Sequence, residues 1–292
     1  MPRLSMIPTI AREIALRQHQ PRIPEPMVMD EQDQVDAFAE AGRIDGIMSA
    51  SYLFQSARIS QIIQGCTHVI DLGCGPATQL AQVAVLNPDI QFSGIDLSEE
   101  MLESGRQYLS DLRIDNVKLE LGDITNLADY ADSSIDGVIS TMVLHQLPEF
   151  HMLEATFREV ARVLKPDGAL YLVDLGRLKS PKSCKFFAHL NAAHQPEAFT
   201  EDYLASLHAA FLFEDYQRLT AKILSSQFKA YGTFLMPVMT VVKSADRPIP
   251  DDLRNKLALM RQMLPKNYRN ELDDIRLFMY LGGLRNDPFR KN

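Results

Sequence analysis

Short apolar runs alternate with amphipathic stretches through the middle of the chain. Val69 to Leu72, Ile90 to Ile95, Val117 to Leu121, Ile135 to Thr141 and Ala169 to Leu175 read as strands, and Leu153 to Leu164 has helical spacing. Strand alternating with helix predicts an α/β fold, a doubly wound and mainly parallel sheet with helices on both faces. In such a sheet ligands bind at the carboxyl ends of the strands, at the switch point. Before the core, Met6 to Gln18 is helical in period, Pro21, Pro24 and Pro26 break it, and Asp33 to Ala41 and Gly46 to Ile63 predict two further helices. After the core, Leu224 to Tyr231 and Met236 to Lys243 predict a closing antiparallel pair, with Pro237 at a strand start or an edge. Asp251 to Leu264 and Asn267 to Leu281 predict terminal helices. The chain therefore divides into an N-terminal helical segment (1–64), a core (65–245) with an insert at about 182–213, and a C-terminal helical extension (246–292).

The strand Val69–Ile70–Asp71–Leu72 runs into Gly73–Cys74–Gly75–Pro76–Ala77. The first glycine allows a tight turn, and the second lets a ligand press on bare backbone. Asp96 ends the next apolar run, 21 residues beyond Gly75. A carboxylate there can accept hydrogen bonds from both hydroxyls of a ribose. An Asp directly before the turn would repel a pyrophosphate, but it suits a charged amino group. Ser98 is a candidate N-cap for the helix that follows.

This order of features resembles the class I S-adenosylmethionine (SAM) methyltransferases. Gly122–Asp123–Ile124, the strand ending at Thr141 with Met142 to Pro148 after it, and the Arg162 to Gly168 turn "Arg-Val-Leu-Lys-Pro-Asp-Gly" extend the likeness from about residue 65 to 176. The family's third small position is often Gly; here it is Ala77. The resemblance implies a seven-stranded sheet and a cofactor, SAM, leaving as S-adenosylhomocysteine. It implies that Asp71, Gly73 and Gly75 hold the methionine end and Asp96 the ribose. Leu97, Met101, Asp123 and Ile124 would surround the adenine, and Thr141 would face the sulfonium. In the family, specificity resides in N-terminal helices and inserts, so segment 1–64 becomes a candidate lid and 182–213 a candidate substrate cap.

Transfer of a methyl group is an in-line displacement, and a general base is needed only where the acceptor must lose a proton. His145, just beyond the fourth strand, is the candidate base; its plainer reading is a helix-start histidine bonded to backbone. Tyr52, His145, Asp174, His189 and His194 are candidate acceptor contacts. Asp174 could instead cap a turn. Phe186, Phe187, Phe199, Tyr203, Phe211 and Phe213 could roof an apolar pocket or pack the insert onto the sheet. His189 and His194 lack a metal site's spacing, so no metal is expected.

Net charge is −8 over 292 residues, which argues against a nucleic-acid partner. Three unpaired-looking cysteines, no apolar stretch of 18 residues and no signal-like N-terminus predict a cytoplasmic protein with no membrane span. The acceptor is expected to be a small metabolite or natural-product intermediate, with a peptide or protein side chain next; a homodimer is compatible with either. Two other classes stay open: a SAM-binding regulatory module without transfer, and a nicotinamide-dependent dehydrogenase. Asp71, the missing third glycine and the Lys-Pro-Asp-Gly turn count against the second.

Overall fold

The computed structural model describes residues 4–27, 39–42, 46–192 and 195–290. Among these, β1 (His68–Leu72), β2 (Gln91–Asp96), β3 (Val117–Leu121), β4 (Ile135–Thr141), β5 (Leu164–Leu175), β6 (Lys229–Gly232) and β7 (Met239–Lys243) form one sheet. Its order is β3-β2-β1-β4-β5-β7-β6. β1 to β5 are parallel, and β7 runs antiparallel between β5 and β6. The order reverses between β1 and β4, so the predicted crevice opens above those two strands.

Alternation along each central strand builds two cores. Val69, Ile139, Tyr171, Val173 and Val241 face one cluster, and their neighbours Ile70, Val138, Leu170, Leu172 and Val242 face the other. The first is covered by α2 (Ser49–Ile62), α3 (Thr78–Leu86) and α4 (Glu99–Asp111). The second is covered by α5 (Phe150–Val163) and α8 (Phe213–Ile223). Helix α5 shows the cause plainly: Leu153, Phe157 and Val160 are fully buried while Arg158 reaches water. Each such burial contributes about 1.5–3 kcal/mol. Ser98 caps α4, accepting from the Met101 N–H at 3.1 Å, and Glu99 and Glu100 complement the helix dipole.

Several expectations change. The N-terminal helix ends early: α1 spans Ile7–Ala15, preceded by a 3-10 turn. Residues 28–38 lie outside the described residues, and with them most of the helix expected from Asp33 to Ala41. The helix expected from Gly46 to Ile63 forms as α2, yet it is a buried layer rather than a surface lid. Several of its polar groups are matched inside: the Tyr171 hydroxyl donates to Gln55 Oε1 at 2.5 Å, and Asn87 Nδ2 donates to Ser60 Oγ at 2.8 Å. The Lys165–Gly168 turn is absorbed into β5, with a register irregularity opposite Ile135–Gly137, and Lys165 donates to Asp136 at 2.5 Å. The closing strands are shorter than expected because residues 224–228 turn between α8 and β6, with Phe228 N–H donating to the Ser225 carbonyl, and Pro237 falls in the β6–β7 connection, outside the ladder.

The insert contains α6 (Pro181–Ala188) and α7 (Glu197–Ala209), and the C-terminal extension contains α9 (Asp251–Met263) and α10 (Lys266–Leu281). Arg58, 1% exposed on α2, ties the extension to the core by donating to the Leu284 carbonyl at 3.1 Å and to the Asn286 carbonyl. Arg58→Ala should therefore cost about 2–4 kcal/mol, since hydrogen bonds from a charged group are worth about 1.5–3 kcal/mol each. That lowers Tm by about 5–10 °C for a domain of this size. Calorimetry with amide exchange of residues 251–290 checks it; a Tm within 2 °C (roughly 0.5–1 kcal/mol) of wild type and unaltered exchange would refute the tie.

Candidate functional site

The glycine turn is built by backbone geometry that only small residues tolerate. Gly73 has φ of 72°, and a Cβ there would run into the Val143 side chain. Gly75 has φ of 51°. The N–H groups of Gly73 and Cys74 both donate to the Ile95 carbonyl, at 2.7 and 3.0 Å, locking the β1 turn to the end of β2. Ala77 adopts the left-handed conformation (φ 57°) that a glycine would take more easily. Met142, at the end of β4, has φ of 56°, a strained position of the kind found at functional sites.

Asp96 is held by backbone. Gly75 N–H donates to its Oδ2 at 2.8 Å and Ser98 N–H to its Oδ1 at 3.0 Å. Asp71, 2% exposed, keeps an Oδ1 with no hydrogen-bond partner. Burial, aided by the charge of Asp96, pushes its carboxyl up to about 8. A buried, unsatisfied acid of this kind is suited to a cationic ligand group.

Above the strand ends lies a cavity of about 320 Å³, within the range of small-ligand sites. Its floor includes Gly73–Gly75, Asp96, Ser98, Met101 and Thr141–Val143. Tyr52 and Gln55 of α2 form one wall, and Phe187, Phe199, Asp202 and Tyr203 of the insert form a roof. The C-terminal extension also enters: Glu271, Asp274, Ile275 and Phe278 of α10 line the cavity. Sequence reasoning missed this face, although 271, 274, 275 and 278 follow helical spacing.

Of the predicted site residues, Gly73, Gly75, Asp96, Met101, Thr141, Tyr52 and His145 come together around this cavity. Asp71, Leu97, Asp123 and Ile124 do not line it; Asp71, 2% exposed, sits just before the Gly73–Gly75 turn that does. Ile124 is buried in the α5-side core, and Asp123 Oδ1 accepts from Thr125 N–H at 2.8 Å, a local turn. His189 is a correction: it is exposed at the end of α6, its Nδ1 is 2.9 Å from the Lys185 carbonyl, and it does not reach the cavity. His194 lies outside the described residues. Phe211 packs edge-on against Phe150 beneath the site rather than in its roof.

His145 and Asp174 are also corrected. Asp174 is fully buried and is not a rim contact. It accepts from His145 N–H at 2.5 Å, Tyr216 hydroxyl at 3.2 Å and Leu175 N–H at 2.7 Å, and His145 Nδ1 lies 2.5 Å from its Oδ1. On its other side His145 Nε2 lies 3.2 Å from Glu25 Oε1. Burial alone would lower the imidazole, but Asp174 and Glu25 outweigh it and raise it to about 10. Both ring nitrogens then carry protons donated to carboxylates, so His145 has no lone pair with which to act as a base near neutrality.

Among the described residues no group of three or more metal-ligating side chains occurs, and no helix is long and apolar enough to cross a membrane. A methyltransferase domain family model matches residues 63–227. An uncharacterized methyltransferase of Bacillus subtilis, YcgJ, is 32% identical over 145 residues, 49% of this chain and 54% of that protein. A demethylmenaquinone methyltransferase of Listeria monocytogenes is 32% identical over 120 residues, 41% of this chain and 49% of that protein. The chain thus matches about half the length of these curated relatives. Among solved structures, the plantazolicin methyltransferase BpumL, bound to a desmethyl analogue and S-adenosylhomocysteine, matches with TM-score 0.53 at 14% identity, covering 74% of this chain and 90% of that one.

The His145 geometry makes a direct prediction. Its ring ¹⁵N shifts should be those of an imidazolium at pH 7.5, with no titration between pH 6 and 8.5. The folded value of about 10 lies above the ordinary 6.5. Its contribution to stability is therefore complete below pH 6.5 and is lost as pH rises through about 10. A neutral ring at pH 7.5 would refute the assignment.

Proposed function

The chain belongs to the methyltransferase-domain family of class I SAM-dependent enzymes, and on that premise we propose that it transfers the methyl group of SAM to a small metabolite or natural-product acceptor. The carrying observation is the pair of carboxylates at adjoining strand ends. Asp96 is fixed by two backbone N–H groups, and Asp71 is buried with an oxygen that nothing in the protein satisfies.

These residues fit the cofactor. Asp71 and the Gly73–Gly75 turn would hold its methionine end, Asp96 its ribose, and Met101 would pack on the adenine, with Thr141 toward the sulfonium. Leu97, Asp123 and Ile124 keep only the positions the resemblance gave them. When bound, SAM supplies a methyl group on a positively charged sulfur, a good leaving group. The chain's own residues align and enclose. Tyr52 and Gln55 close one side, and the insert and α10 exclude water above. Alignment of this kind can supply several kcal/mol of acceleration. His145, bonded on both sides, holds the wall of the site and takes no proton.

We call the part of the cavity bounded by Gly73–Gly75, Asp96 and Met101 the donor half, and that bounded by Met142, the insert and α10 the acceptor half. The acceptor half is apolar and aromatic, with Phe187, Phe199, Tyr203 and Phe278 beside a few carboxylates. Such a lining supports a compact, partly apolar acceptor over a nucleic acid. The name of one similar protein, a demethylmenaquinone methyltransferase, supports the same reading. A peptide side chain is the second reading.

Two measurements test the donor half. Asp96→Ala should weaken SAM binding by about ten- to a hundredfold, a loss of roughly 1.4–2.8 kcal/mol; unchanged affinity by calorimetry would sink the assignment. Asp71, with its carboxyl near 8, is mostly protonated at pH 7, and a cationic ligand favours its charged form. SAM binding should therefore release protons, and affinity should rise from pH 6 to 8. Calorimetry in buffers of different ionisation enthalpy reads this directly, and proton uptake or none would contradict the role of Asp71.

A further inference from the structure

Residues 16–27 follow α1 as an irregular arm that carries the helix-breaking Pro21, Pro24 and Pro26. The structure fastens it along its length. Arg22 stacks on Phe211, 3.9 Å from the ring centre. It donates to the carbonyls of Ala209 at 2.6 Å, His145 at 2.8 Å and Leu147 at 2.6 Å, and to that of Pro148. Ile23 N–H donates to the His208 carbonyl at 3.0 Å. Gln20 Nε2 donates to Cys184 Sγ at 2.9 Å, and Ser206 Oγ donates to Glu25 at 3.3 Å. Beyond Glu25, Met27 lines the cavity.

These anchors lie on the 145–148 turn, α6 and α7. None of the arm's hydrogen bonds, among the described residues, reaches the β1 or β2 turn that forms the donor half. At the arm's inner end one contact is different in kind. Glu25, with its side chain only 6% exposed, meets His145 Nε2, whose ring is bound on the far side by the fully buried Asp174. Two buried carboxylates thus share one ring. Removing the ring would take from both carboxylates their shared donor, and a buried charge that loses its partner costs several kcal/mol.

We infer that His145 is a positioning residue: clasped between Asp174 and Glu25, it fixes the arm 16–27, whose inner end at Met27 lines the cavity, and leaves the donor half to the strand-end turns. The inference rests on the methyl-transfer reading for what the two halves bind, and on the contacts alone for the fastening. It makes Glu25 the arm's inner lock. An acceptor entering or leaving on this side passes a wall whose last polar tether is Glu25.

The test uses the full chain, with Glu25→Ala, Glu25→Gln and, as a second probe, His145→Asn. Cys184 is fully buried beneath Gln20, so its rate of alkylation by iodoacetamide, located by mass spectrometry, reports arm opening. Amide exchange of residues 20–27 reports the same event, and exchange in β4 and α5 serves as the folding control. Glu25→Ala should label Cys184 and exchange the arm at least about tenfold faster, the equivalent of roughly 1.4 kcal/mol of opening free energy. Glu25→Gln should stay within about threefold of wild type, because its side-chain carbonyl still accepts from Nε2–H. Affinity for S-adenosylhomocysteine, by calorimetry, should move less than about threefold in both variants. An arm as protected in Glu25→Ala as in wild type overturns the inference, as does a loss of more than about tenfold in S-adenosylhomocysteine affinity with β4 and α5 intact. If the wild-type protein fails to bind S-adenosylhomocysteine, the methyl-transfer reading falls, while the labelling and exchange still decide the fastening.

Discussion

A carboxylate removed from water needs a counter-charge or enough donors, and three aspartates at the ends of β1, β2 and β5 set the terms for this molecule. Each is met differently. Asp174, fully buried, is surrounded by His145, Tyr216 and its neighbouring backbone. Asp96 is received by the N–H groups of the glycine turn and of the α4 cap. Asp71 is buried as deeply as core leucines but keeps an unsatisfied oxygen. Two of the three are met by the protein's own donors, and the third keeps an oxygen without one. A parallel sheet concentrates strand carboxyl ends on one edge, so the fold itself creates this problem and the site that uses it.

The solution at Asp174 propagates outward. Its histidine calls for a second acceptor, which Glu25 supplies from far away in sequence. Glu25 can stay there only because Arg22 and Ile23 hold the arm against the turn after β4 and against α7. Glu13 extends the same tie: it is 2% exposed and accepts from the N–H groups of Lys179 and Ser180, at 2.7 and 3.1 Å, at the start of α6. The N-terminal segment, the insert and the core are in this way linked through a short list of charged hydrogen bonds, each stronger than a neutral one.

Legibility in the sequence followed the distance between interacting residues. The strands, the Ser98 cap, the glycine turn and Asp96 were readable because each depends on neighbours a few residues away or on one strand–helix–strand unit. Ala77 was readable as a departure, and its left-handed backbone shows what the departure entails. Asp174 and His145 were singled out but given the wrong tasks. A lone histidine after a strand carries no mark of two carboxylates packed against it, one 29 residues on and one at position 25. His189 looked equivalent to His145 by residue type, yet the end of α6 turns it to solvent. Helix α2 was a lid candidate because specificity in the family resides in N-terminal helices. It packs instead as a layer against α3 and β5, where Ser56 meets Gln79 and Gln55 meets Tyr171, while Arg58 donates to the C-terminal tail.

The two halves of the cavity therefore have different origins. The donor half is written in one contiguous stretch, from Asp71 to Met101, where a turn and a cap fix Asp96 through backbone N–H groups. The acceptor half is assembled from the arm, the insert, the β6–β7 connection and α10, segments joined only by tertiary contacts. A change in any one of these can reshape that part of the cavity without disturbing the glycine turn. That asymmetry explains why a family likeness confined to residues 63–227 can identify the chemistry and still leave the acceptor open. Part of the cavity wall comes from before and after the matched segment: Met27 and Tyr52 on one side, Glu271, Asp274, Ile275 and Phe278 on the other.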